Sequence, residues 1–178
     1  AEMEKQIAAI MEKFYADRLK ELEELANNSR LPSADFWQRA EADLYDSLLP
    51  SMTDAAGNGV TNAMDAGQFT GVSWDIVNND AIAWAKANTA EVVASISKTS
   101  MTAFQDKFGD WVESGDPLDK LIESLEPYYG DVKAGQVAVT EVTRAYAAGN
   151  LEVWRNSGVV NQFNVFTAED DIVCPICT

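Results

Sequence analysis

Thr140-Glu141-Val142-Thr143-Arg144-Ala145-Tyr146-Ala147-Ala148-Gly149-Asn150 is the stretch on which the reading of the fold turns. It contains no proline, and Val142, Ala145, Tyr146, Gly149 and Val153 recur at three- and four-residue spacing. That period puts them on one narrow helical face. Small residues on such a face let a neighbouring helix come close. The run predicts a helix from about Asp131 to Asn156, and with it an α-helical protein.

Upstream the same period returns. Met3, Ile7, Ile10, Met11, Phe14, Leu22 and Leu25 form one stripe over the first 27 residues, with Glu and Lys on the other face. Asn27-Asn28-Ser29 and Pro32 end that helix. A second is predicted from Ser33 or Asp35 to Pro50, carrying Phe36, Trp37, Ala40, Leu44, Leu48 and Leu49. Thr53 to Gly71 holds four glycines and reads as a weak helix or a loop. Residues 78–96 make a further helix, and another from about Ser100 carries Met101, Phe104, Phe108, Trp111 and Val112 to Gly115. In the next, Asp116 caps, Pro117 takes the first helical position, and Leu118, Leu121, Ile122 and Leu125 form the stripe before Pro127 and Gly130. The five tryptophans (Trp37, Trp74, Trp84, Trp111, Trp154) read mainly as core, with one or two left to anchor a partner.

After Gly158 the period changes. Val159-Val160 and Phe163-Asn164-Val165-Phe166 read as extended chain, one strand of a small terminal hairpin. Thr167-Ala168-Glu169-Asp170 has the form of a capping box and leads through Asp171 into Cys174-Pro175-Ile176-Cys177. The expected fold is therefore mainly α, a multi-helix domain with a small β-hairpin and CxxC knuckle at its C-terminal end.

Composition narrows the function. With 178 residues and 47% hydrophobic content, the chain is large enough for one domain with a real core. Thirteen basic residues face 29 acidic ones, a net charge of −16, and no Lys/Arg cluster stands out. Such a surface works against binding of phosphate backbones or anionic lipid. No apolar run reaches the roughly 18–20 residues of a membrane span. The charged opening Ala1-Glu2-Met3-Glu4-Lys5 does not read as a signal peptide, and Ala in place of Met suggests a start trimmed or lying upstream. Histidine is absent, which removes Ser-His-Asp and Cys-His catalysis and every His-containing zinc site. No glycine-rich phosphate loop is present.

Cys174 and Cys177 have the spacing of half a zinc knuckle, but a closed zinc site needs about four ligands. Asp170 or Asp171 would add an oxygen at most. A dithiol redox role requires a βαβ context that does not precede the pair. Two cysteines so placed suit a reducing cytoplasm. Glu141 and Arg144, three residues apart, read as a helical ion pair that ties this helix to the terminal hairpin, in preference to a catalytic role; exposed, such a pair is worth a few tenths of a kcal/mol.

The order of these features resembles a known family. Thr140-Glu141-Val142-Thr143-Arg144-Ala145, then Trp154, then Ser157-Gly158-Val159, a short strand, and Thr167-x-x-Asp170-x-x-Val173-Cys174-Pro175-x-Cys177 are similar to the phage head-morphogenesis (minor head protein) family typified by the F protein of phage Mu. The segment from Asn79-Asp80 through Trp84, Ala87-Asn88 and Ser95-Ile96-Ser97 resembles that family's middle region. The resemblance covers residues 79–178, and residues 1–78 correspond to a variable N-terminal helical region. Family members carry a further His- or Cys-bearing segment after the cysteine pair, whereas this chain stops one residue after Cys177, so a chain either truncated from a longer parent or with its remainder removed is expected. The resemblance implies a non-enzymatic virion component without a cofactor, zinc being an option for the intact parent. It implies portal and capsid proteins as partners, with self-association as a further option, and a place in the capsid interior after assembly in the host cytoplasm. The competing readings are a delivery module of a phage-derived polymorphic toxin, a head protein with ADP-ribosyltransferase activity, and a zinc- or thiol-dependent regulator. The scarcity of strand pattern before residue 159 counts against the transferase.

Overall fold

The computed structural model describes residues 2–28, 30–67, 69 and 71–162. Five helices follow one another: α1 (Glu2–Asn27), α2 (Ala34–Gly67), α3 (Trp74–Ser114), α4 (Leu118–Tyr129) and α5 (Asp131–Ser157). The protein is mainly α-helical, and no strand occurs among the described residues. None of these helices is long and apolar enough to cross a membrane.

Helices α1 and α5 follow their apolar stripes. In α1, Ile7, Met11, Tyr15, Leu22 and Ala26 are buried. In α5, Ala134, Ala138, Val142, Ala145, Gly149 and Val153 are buried, and Gly158 ends the helix in the left-handed region at φ 67°. Val159 and Val160, expected as extended strand, are irregular; the rest of the expected hairpin, the capping-box residues and both cysteines lie outside the described residues.

Two expected breaks are absent. Helix α2 continues through Pro50 and takes in most of the glycine-bearing segment. Pro50 and Asp46 are both exposed, so the Asp46 carbonyl freed by the missing N–H can reach water. On the opposite side Leu44, Leu48, Met52, Ala55, Ala56, Val60 and Ala63 form one buried line, and that burial overrides the local breaker. Likewise the two helices expected over 78–115 are one, α3, because nothing between Ile96 and Ser100 stops it. Gly115 does stop it, in the left-handed region at φ 68°, its N–H donating to the Trp111 carbonyl at 3.1 Å. The start of α4 differs by one residue: Pro117 occupies the cap position, with no side-chain cap. Asp116 instead offers its backbone carbonyl to the Trp111 indole N–H at 2.7 Å.

Helix α2 packs on both α3 and α5, α1 lies along α5, and α4 closes against α1 and α3. The larger core cluster draws on all five helices, from Ile7 and Leu44 to Phe104, Leu125 and Val142. A second cluster, Ala56, Val60, Ala63, Val77, Ala81, Ala85 and Val153, lies where α2, α3 and α5 meet. The α2–α5 contact is close. A Cβ on Gly59 would fall 2.1 Å from the Tyr146 carbonyl oxygen, and one on Gly149 would fall 2.0 Å from that of Ala56. The narrow small-residue face of α5 is thus the surface that receives α2. The point between residues 78 and 79 falls in the second turn of α3, and the core joins helices from both sides of it.

Candidate functional site

Asn88 and Glu141 meet inside the protein. The Asn88 amide donates to a Glu141 carboxylate oxygen at 3.2 Å, and both residues are buried, at 8% and 7% exposure. The Arg144 guanidinium donates to both oxygens of the same carboxylate, at 3.1 and 3.2 Å. A buried carboxylate needs compensation of this kind, because an unpaired charge away from water is costly. The Arg144 side chain itself stays half exposed. The described partners of Glu141 are therefore α3 and its own helix, while the hairpin it was expected to hold lies outside the described residues.

This network borders a cleft of about 650 Å³ between α3 and α5, a size within the usual range of binding cavities. From α3 come Glu91, Val92, Ser95, Ile96, Thr99 and Ser100; from α5 come Lys133, Gln136, Val137, Thr140, Glu141 and Arg144; Tyr15 and Tyr128 close it. On each helix the lining residues recur at three- and four-residue spacing, so each presents one face to the cleft. The two helices run antiparallel, since Asn88 bonds Glu141 near one end and the Tyr129 hydroxyl donates to the Ser100 carbonyl at 2.7 Å near the other.

Burial pushes the Tyr15 phenol up to about 12. Tyr129 is pushed up as well, mainly by burial, partly offset by its bond to Ser100. Both stay protonated at neutral pH; Tyr15 offers the cleft a neutral group, while Tyr129 lies in the core behind it. No histidine is available as a proton shuttle. The cleft holds apolar wall, hydroxyls, one amide and four charged groups, a set suited to binding.

Of the residues singled out from the sequence, Thr140, Glu141 and Arg144 come together here. Trp154 does not: it packs against the second core cluster. Thr167, Asp170, Asp171, Cys174 and Cys177 lie outside the described residues, and among the described residues no group of Cys, Asp or Glu is placed to hold a metal. Trp37 is in the core and Trp84 and Trp111 pack against it, whereas Trp74 is 47% exposed. The sequence reading did not single out Asn88 for a role, although it lies within the middle segment of the resemblance. A polar residue on the apolar side of a long helix was the available signal.

A second concavity, of about 500 Å³, lies between α1 and α2. Arg18, Arg30 and Arg39 line it, but so do Glu21, Glu24 and Asp43. Arg18 is held by Glu21 at 3.0 Å and lies over the rings of Phe14 and Phe36 at 5.8 and 5.6 Å. With cations and carboxylates balanced, this groove has no net pull on a polyanion.

No protein-family model matches the sequence, and no curated protein or solved structure matches the chain.

Proposed function

We propose that this chain is a minor head protein of a tailed bacteriophage, a non-enzymatic virion component working through protein–protein contacts. The ordered series from Thr140-Glu141-Val142-Thr143-Arg144-Ala145 to Cys174-Pro175-Ile176-Cys177 carries the reading. The buried Asn88–Glu141 bond supports it, because it joins in space the two separate segments on which the resemblance rests. Helical faces and a mixed polar cleft suit docking of polypeptide, and the net charge of −16 disfavours a direct hold on DNA or anionic membrane. In this reading the partners are the portal and capsid proteins, and the protein acts in head assembly, DNA packaging or ejection. It is made in the host cytoplasm and ends in the capsid interior. In this reading Cys174 and Cys177 are half of a zinc knuckle whose remaining ligands belong to an intact parent.

Peptide mass spectrometry on purified particles from the source organism tests the proposal. The expected result is this chain at a few copies per particle beside the portal protein. Its absence from particles, with secretion as part of a larger polypeptide, overturns the proposal in favour of toxin delivery.

A further inference from the structure

Within the α3–α5 cleft, Arg144 and Glu141 neutralise each other, whereas the side chains of Glu91 and Lys133 make no ion pair or hydrogen bond among the described residues. The register of the two helices sets how far apart these two unpaired charges stand. The Asn88–Glu141 and Tyr129–Ser100 bonds fix an antiparallel pairing in which Glu91 lies level with Ala138 and Val139, about five residues from Lys133. At the helical rise of about 1.5 Å per residue, that is roughly 8 Å along the cleft, with the charges on opposite walls. Between them lie Val92 and Val137, apolar and half-buried, with the Ser95 hydroxyl and the Gln136 amide. Those two polar side chains also have no hydrogen-bond partner among the described residues.

This arrangement selects by charge separation. A polyanion or a polycation is attracted to one of the two charges and repelled by the other. A zwitterion is attracted to both, provided that its ends span the gap. An extended peptide advances about 3.4 Å per residue, so the terminal ammonium and carboxylate of a dipeptide or tripeptide stand far enough apart. The two charges of a single amino acid, carried on one carbon, do not.

We propose that the cleft binds free peptides of two or three residues, the terminal ammonium on Glu91 and the terminal carboxylate on Lys133. The peptide backbone bonds to Ser95 and Gln136, and an apolar side chain of the ligand lies on Val92 and Val137. The site is concave and partly apolar, with a few convergent polar groups, as small-ligand sites are. This inference goes beyond the minor-head reading and is tested apart from it, by ligand binding rather than by particle composition.

The test is an amide NMR titration of the purified chain with the tripeptide alanyl-leucyl-alanine. Two exposed ion pairs and a small apolar contact give an expected Kd of about 1 mM. Shifts are expected at the amides of residues 91–99 in α3 and 133–140 in α5. Acetylating the peptide amine, or amidating its carboxylate, is expected to weaken binding about fivefold in each case. Free leucine is expected to bind more weakly still. Glu91→Gln is expected to weaken the free peptide about fivefold and to leave the acetylated one unaffected, and Lys133→Gln to do the same for the free and amidated forms. Neither side chain is buried, so both variants are expected to keep the wild-type fold, which the dispersion of their spectra checks. No shift in the cleft at about 10 mM peptide, ten times the expected Kd, overturns the proposal. So does a capped peptide bound as tightly as the free one, or an E91Q defect shared by the acetylated form.

Discussion

Gly59 of α2 and Gly149 of α5 are reciprocal contacts: each lies against the backbone of the other's helix. A Cβ at Gly59 would fall 2.1 Å from the Tyr146 carbonyl oxygen, and one at Gly149 would fall 2.8 Å from the Val60 nitrogen and closer still to Ala56. Only the absence of both side chains lets the helices meet at this separation. Glycine otherwise costs an exposed helix interior about 1 kcal/mol against alanine, so at these two positions the usual sign is reversed.

Gly59→Ala and Gly149→Ala are each expected to destabilise the protein by about 1–3 kcal/mol, the usual cost of forcing volume into a packed contact. In a chain of this size that lowers the melting temperature by roughly 3–10 °C. Once either methyl has pushed the helices apart, the second meets a gap already opened, so the double variant is expected to fall short of additivity. Urea unfolding of the two single variants and the double variant checks both points. Gly109→Ala, in α3 with nothing near its Cβ direction, serves as a control and is expected to stabilise.

Asn88→Ala is expected to cost about 1–2 kcal/mol, because it removes the buried one of the two donors to a Glu141 carboxylate oxygen and leaves only the half-exposed Arg144. Arg144→Ala is expected to cost less, about 0.5 kcal/mol, since half of that side chain is already in water and a screened pair contributes little. An Asn88→Asp variant, which sets a second carboxylate against Glu141, is expected to be worse than Asn88→Ala at neutral pH and to recover on acidification. Chemical denaturation at two pH values separates the three.

The parts of the fold legible in the sequence were those where local pattern and burial agree. The Ile7–Met11–Leu22 stripe and the small face of α5 both gave their helices to within about one residue. What misled was local chemistry that burial outweighs: Pro50 reads as a stop, yet Leu48 and Met52 on either side of it belong to one continuous buried line. The site was legible in half. Glu141 and Arg144 are visible as a helical pair, but Asn88 lies 53 positions away in sequence, and only the antiparallel packing of α3 on α5 joins them.

Alkaline titration reads the buried phenols. Tyr15 is raised to about 12 and Tyr129 is raised as well, while an unfolded tyrosine loses its proton near pH 10. Between those values the folded state binds more protons than the unfolded one, so the stabilisation is complete below about pH 10 and is lost as pH rises toward 12. Unfolding midpoints measured from pH 8 upward are expected to fall above about pH 10. In Tyr15→Phe that fall is expected to be shallower, although the edge-on contact of the Tyr15 and Tyr129 rings, at 5.9 Å, is retained. A slope unchanged by the substitution would assign the alkaline loss to other groups.

Pro50→Ala is expected to raise stability, by about 1–3 kcal/mol. Alanine restores the N–H that the Asp46 carbonyl lacks and removes the clash of the ring with that carbonyl. Some of the gain is offset in the unfolded chain, which proline stiffens. The side chain at position 50 is exposed, so no packing is lost. The opposite outcome is informative as well. If Pro50→Ala destabilises, then the local backbone geometry that proline sets in α2 is part of how Leu48 and Met52 reach the core, and changing it shifts them out of their packing. Comparing Pro50→Ala with the double variant Pro50→Ala/Met52→Leu in thermal melts distinguishes the two, because a repacking defect changes with the residue at position 52 and a restored backbone bond does not.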